Sequence, residues 1–168
     1  QMYENQKKYN DGLGALNAEH VRAALDDVHP GVRRHAVRLC EGRIDGAPRL
    51  VEALIARVDD DASQVRLQLA CTLGSCDDPR AALALARMAW RNHADPFLRA
   101  AILSSLGRKN LATVLDGLER LADGADIPVA LLAPLGQTAV GVGLAPQAAR
   151  VLEQLLESGD SAANRPLL

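Results

Sequence analysis

Three stretches of this chain align without a gap at a spacing of 33 residues: GVRRHAVRLC (Gly31 to Cys40), QVRLQLACTL (Gln64 to Leu73) and FLRAAILSSL (Phe97 to Leu106). Val32, Val65 and Leu98 fall in register, as do Ala36, Leu69 and Ile102, and then Cys40, Leu73 and Leu106. Within each stretch these positions stand at i, i+4 and i+8, one stripe along a helix. Val37, Ala70 and Leu103 widen it. A helix at the same point of every unit predicts a superhelix of stacked antiparallel helix pairs, because one such pair buries its apolar face only against the next.

A first helix precedes each second one. Glu19 to Asp26 offers Val21 and Leu25; Pro48 to Val58 offers Leu50, Val51, Leu54, Ile55 and Val58. Pro79 to Arg91 turns Ala82, Leu85, Met88 and Ala89 inward behind an Asp78 N-cap, and Leu111 to Leu121 carries Val114, Leu115, Leu118 and Leu121. Proline in a helix's first turn is preorganised for it. The links hold Pro30, Asp60–Asp61, Asp77–Asp78 and Pro96 and are too short for anything but antiparallel neighbours. The expected organisation is a polar lead-in over 1–10 and a repeat domain over 11–158. Its clear units are 18–43, 47–74 and 78–107, followed by a degenerate unit at 110–135, an end helix at 146–157 and a tail at 159–168. In the degenerate unit Leu131 and Leu135 continue the stripe, Pro128 suits a first turn and Pro134 is expected to kink or end the helix. Gly136 to Gly143 reads as a small, flexible segment. Pro146 to Glu157 turns Val151, Leu152, Leu155 and Leu156 inward, with Gly159 as C-cap. Tyr3 and Tyr9 are expected to pack on the first unit.

Arginine recurs in the same register, at Arg33, Arg66 and Arg99. Three at equal spacing predict a ladder, each laying its stem over apolar surface and bonding a nearby carboxylate or carbonyl. Asp27 and Asp60, themselves one repeat apart, are the expected partners, with His93 in the third position and Asp95 close by. A ligand-binding ladder is the alternative.

Several chemistries lack their residues. The composition is 48% hydrophobic and 24% charged, that of a folded soluble chain. Only Tyr3, Tyr9, Trp90 and Phe97 are aromatic, too few for base-stacking platforms. A net charge of −2 gives no overall basic footprint, and no run is apolar enough to span a bilayer. His20, His29, His35 and His93 form no metal-ligand motif, and His29 and His93 are placed in links about one repeat apart. No serine sits in GxSxG, and Gly136 to Gly143 has no phosphate-loop spacing. The aspartates at 59–61 and 77–78 lie where helices begin and read as caps, with a calcium or glycosidase site as the alternative. Of Cys40, Cys71 and Cys76, a Cys71–Cys76 disulfide is the one pairing the spacing leaves open, against three free thiols. No catalytic, cofactor or metal residue is assigned.

One charged cluster stands out. Arg22, Arg34, His35 and Arg38, with Arg33 and Arg43 beside them, belong to the first helix pair and form a candidate interaction patch. Phosphate recognition needs only exposed cations. The equivalent positions of the next units, Leu67, Cys71, Ala100 and Ser104, do not continue the charge, so that face reads as a protein-contact surface and nucleic acid is not the expected partner.

The Val–Arg dipeptide after an acidic turn, with Asp27/Arg33 and Asp60/Arg66, resembles the HEAT repeat, an all-α superhelix of the armadillo type. Leu98–Arg99 keeps the arginine but replaces valine, and His93 replaces the aspartate. Residues 11–120, in particular DGLGALNAEHVRAALDDVHPGVRRHAVRLCE and VRLQLACTLGSCDDPRAALALA, further resemble the helical-repeat region of multidomain planctomycete-type proteins that join a sugar-dehydrogenase-like propeller to a c-type haem domain. That resemblance implies a parent in the bacterial periplasm or envelope and redox chemistry on sugars. This chain carries no CxxCH and no propeller, so none of that chemistry transfers to its residues. Opening on Gln1, it reads as an excised or processed segment. The expected role is a non-catalytic scaffold contacting a protein partner or other domains of its own parent. The alternatives are nucleic-acid binding through the first-repeat patch, and an enzyme or cofactor-handling helper built on repeats, resembling the lyases that attach pigments.

Overall fold

A computed structural model describes residues 18–44 and 46–163, the side chains of 157–163 excepted. The lead-in, its tyrosines and residues 164–168 of the tail lie outside the described residues. Within them the chain is all-α: α1 (Ala18–Ala24), α2 (Pro30–Leu39), α3 (Pro48–Ile55), α4 (Ser63–Ser75), α5 (Pro79–Arg91), α6 (Pro96–Ser104), α7 (Leu111–Ala122), α8 (Val129–Gly141) and α9 (Ala145–Ala163). First helices α1, α3, α5 and α7 pack in one layer, and second helices α2, α4, α6 and α8 in the other. Helix α9 lies against α8 and reaches across to α7, where Arg150 bonds Asp116 and Glu119. It is therefore the first helix of a fifth position in the stack.

The stripes read from the sequence form the core. Ala36, Leu69 and Ile102 are buried, as are Cys40, Leu73 and Leu106, Val65 and Leu98. Val32 is the exception at 40% exposed, because it faces the end of the described stack rather than a preceding second helix. Leu131 and Leu135 extend the stripe into α8.

Three helix ends differ from expectation. Helix α3 stops at Ile55 because its last turn tightens: Arg57 and Val58 donate to Leu54 and Ile55 three residues back. Val58 stays buried all the same. Pro134 neither ends nor kinks α8 out of existence, and the glycine-rich segment is helical through Gly141. The amide Pro134 lacks would have bonded Ala130, whose exposed position leaves that carbonyl to solvent. Burial of Leu131, Leu132, Leu135 and Ala139 supplies the compensating energy, about 2 kcal/mol for each leucine. Gly136 belongs to that packing, since a Cβ there would stand 3.3 Å from Val151. Helix α9 runs through Gly159 instead of ending there, and its inward face is Ala148 and Val151 with Leu155 half-buried. Leu152 and Leu156 point outward, 58% and 72% exposed.

Candidate interaction surfaces and the arginine ladder

Each ladder arginine reaches back to its own link with one geometry. The Nη1 of Arg33 donates to the Asp27 carbonyl (3.0 Å), that of Arg66 to the Asp60 carbonyl (2.6 Å), and that of Arg99 to the His93 carbonyl. Arg33 and Arg66 each add the next carbonyl, Val28 and Asp61. The links expose these carbonyls at their crest, and a guanidinium fork closes them against the helix that follows.

The carboxylate partners are not those within each unit. The Asp27 carboxylate accepts from the His29 amide (2.8 Å) and does not bond Arg33. Arg33 instead crosses to the next unit, where its Nε and Nη2 hold the two oxygens of Asp60 at 2.8 and 2.7 Å, and Nη2 also reaches Asp61 at 2.6 Å. Arg33 and Asp60 are both 8% exposed. Burial is the largest single influence on Asp60 and pushes its pKa up. The bonds from Arg33 and the Ala62 amide and the neighbouring Asp61 outweigh it together, and hold the group below the usual carboxylate range. The rung forms once. One repeat on, His93 and Ala94 replace the two aspartates, and the Nε of Arg66 is buried without a partner. Arg99 ends the ladder, because the next register position is Leu132, fully buried.

The other aspartates of the links are capping and pairing groups. Asp78 accepts from the Arg80 amide and pairs with its side chain, which holds Asp78 below its ordinary pKa. Asp95 caps α6 through the amides of Phe97 and Leu98. Asp59 pairs with Arg91, and Asp26 with Arg57. His29 caps α2, its Nδ1 accepting from the Gly31 amide, whereas His93 sits beside the Trp90 carbonyl. The two histidines are two units apart, not one. Among the described residues no group of three or more His, Cys, Asp or Glu is placed to hold a metal, and no helix is long and apolar enough to cross a membrane.

The basic cluster divides. Arg34, His35 and Arg38 are exposed on α2, in the second-helix layer. Arg22 belongs to the first-helix layer, paired with Glu19 in a groove that Arg49, Glu52 and Ala53 also line. Arg33 is buried and leaves the patch, while Arg43 turns back to the Leu39 carbonyl. Along the second-helix layer Cys71, Ala100 and Ser104 are exposed and Leu67 half-buried, so the face changes from cationic to small and apolar within one unit.

No disulfide joins Cys71 to Cys76: Cys71 is exposed on α4, and Cys76 is buried at its end. Burial pushes the Cys40 thiol up to about 12. At pH 8 one thiol, the exposed Cys71, is expected to react with Ellman's reagent in the folded chain. Cys40 and Cys76 should wait for unfolding, and rapid titration of all three would contradict this packing.

Two residues that hold the units together were not singled out from the sequence. Buried Asn110 donates to the carbonyls of Gly74 (3.3 Å) and Ser105 (3.1 Å) and accepts from the Gly107 amide (2.8 Å), so it ties the end of α4 to the link after α6. Thr72, fully buried, donates to Glu41 of the preceding unit at 2.9 Å. Asparagine one residue before an apolar helical run was the available signal for the first; nothing in the sequence marks the second.

The helix pairs, their two layers and the register of the arginines describe one repeating unit, and comparison with known proteins agrees. No curated protein and no solved structure matches the chain. The family model described as HEAT repeats matches residues 18–107, which span units one to three and more than half the chain. The chain belongs to the HEAT-repeat family.

Proposed function

We propose that this chain is a non-catalytic interaction module, a segment of a longer multidomain protein that holds a protein partner or its own neighbouring domains. The HEAT-repeat fold is generally associated with scaffolding and protein contacts, though a fold alone names no cargo. The observation that carries the reading is the second-helix face, where Cys71, Ala100 and Ser104 lie open over a fully packed layer. Small exposed side chains with no charge are what a partner covers at little desolvation cost. The likeness of residues 11–120 to the helical region of planctomycete-type proteins supports a parent of the sugar-dehydrogenase-like and c-type haem kind, exported to the periplasm or envelope.

The test is a pull-down from the source organism with the purified chain, before and after nuclease, using wild type and the pair Cys71→Glu and Ala100→Glu. A nuclease-resistant protein held by wild type and lost at least tenfold by the pair is expected, since an unpaired carboxylate would be buried in the contact. Retention by the pair would remove this face from the interface. Loss on nuclease treatment, with dependence on Arg34 and Arg38, would make the first-repeat patch a nucleic-acid site.

A further inference from the structure

We infer that the groove between α3 and α5, on the first-helix layer and away from the face just described, docks an acidic amphipathic helix of a protein partner. This rests on the reading of the chain as a protein-contact module, and adds a second surface to it. The groove has a volume of about 580 Å³ and is lined by Ile55, Ala56, Leu83 and Ala84 on its apolar side and by Glu52, Arg80 and Arg87.

Helices α5 and α7 make the most extensive contact of the first-helix layer. They meet through Ala86 and Gly117, where a Cβ on the glycine would stand only 2.7 Å from Ala86. Helices α3 and α5 contact each other less, and the channel along them is lined by Ile55, Leu83, Arg80 and Arg87. A third helix laid in that channel repeats the helix-on-helix packing that builds the rest of the layer. Leu83, 38% exposed, would supply the apolar contact.

The charge of the occupant follows from Arg87. Arg80 is already neutralised by Glu52 at 3.1 Å and by Asp78 at 2.8 Å. Arg87 forms no ion pair among the described residues. Its Nη2 makes one long contact, 3.4 Å to the Ile55 carbonyl, and its Nε is buried without a partner. A buried donor left unbonded is costly, and a carboxylate meeting a guanidinium satisfies it through two parallel bonds. The groove therefore favours an apolar helix that brings glutamate or aspartate to Arg87, and disfavours a basic one.

The experiment titrates the full chain with a fluorescein-labelled amphipathic helical peptide of about 14 residues, long enough to match α5 at 1.5 Å per residue. Leucines line one face and glutamates flank them; glutamine and lysine versions are compared. Saturable binding of the glutamate peptide is expected, weakened about tenfold or more by Arg87→Gln and by Leu83→Glu, and unchanged by Arg34→Gln. Circular dichroism of each variant confirms that the helices persist. Equal binding of the glutamine peptide, indifference to Arg87→Gln, or no binding at millimolar peptide overturns the proposal. So does Arg87-dependent binding of free decanoate without peptide binding, which would make the occupant a small carboxylate. A partner from the pull-down that Arg87→Gln retains leaves the module reading standing and removes this groove from it.

Discussion

Asp60→Ala is expected to lower the melting temperature by about 5–10 °C at pH 7, the larger effect of any single charge removal in the ladder. The substitution strips both oxygens from a buried guanidinium held at 2.7 and 2.8 Å, and frees the Ala62 amide at the start of α4. Arg33 keeps Asp61, but the Asp61 side chain is 90% exposed and water competes for it. Arg66→Ala should cost no more than about half as much, because Arg66 bonds two carbonyls and no carboxylate. The pH dependence separates the charge from the packing. Asp60 is held below its unfolded value of about 3.9, so its contribution is full above that pH and is lost as the pH falls through the depressed folded value. The gap between wild type and Asp60→Asn in thermal melts should be widest near neutrality and close below about pH 4. A gap that stays constant down to pH 2.5 would show that the Asp60 charge is not what stabilises the rung. A loss under about 2 °C at pH 7 would show that the rung contributes little. The same geometry run forward makes His93→Asp a gain, since it places a carboxylate at the register position from which the unbonded Nε of Arg66 lacks one.

That rung also shows how much of the molecule was legible. The register of Arg33, Arg66 and Arg99 was in the sequence because periodicity survives in one dimension. So was the stripe of Val65, Leu69 and Leu73, whose burial follows from helical spacing alone. The partner of Arg33 was not. Asp27 and Asp60 repeat with the same period, so a pairing within a unit and a pairing across units predict identical sequence patterns. Only the offset between stacked units, set by how side chains interlock, selects Asp60. The basic cluster divides for a related reason: Arg22 and Arg34 are near in sequence but belong to different layers. Pro134 misled because local propensity competes with burial, and in α8 four apolar side chains outweigh one missing hydrogen bond. The groove at Arg87 has no sequence signature, since its shape arises from α3 and α5 standing apart where α5 and α7 do not.

Gly74→Ala tests the closest approach between units, and its expected result runs against helix propensity. Within a helix, alanine is worth about 1 kcal/mol over glycine. At Gly74, inside α4, the added Cβ would stand 2.3 Å from the Ser105 Cβ and 2.7 Å from the Ser105 carbonyl oxygen. The second of these is backbone and has no rotamer by which to yield, so α4 and the end of α6 must separate. Separation also pulls Asn110 off the Gly74 carbonyl, and Asn110 is 5% exposed, with little access to replacement water. Overpacking of about 1–3 kcal/mol and a partly stranded amide of about 1–2 kcal/mol exceed the propensity gain, for a net loss of about 1–4 kcal/mol. Gly141→Ala is the matched control. It lies at the end of α8 with nothing within 4 Å of its added Cβ and should be neutral or stabilising by up to about 1 kcal/mol. Urea denaturation is therefore expected to lower the midpoint of Gly74→Ala and to leave that of Gly141→Ala unchanged or raised. If both rose together, the stacking of α4 on α6 would be looser than these distances state, and Asn110 would not be what fastens the second unit to the third.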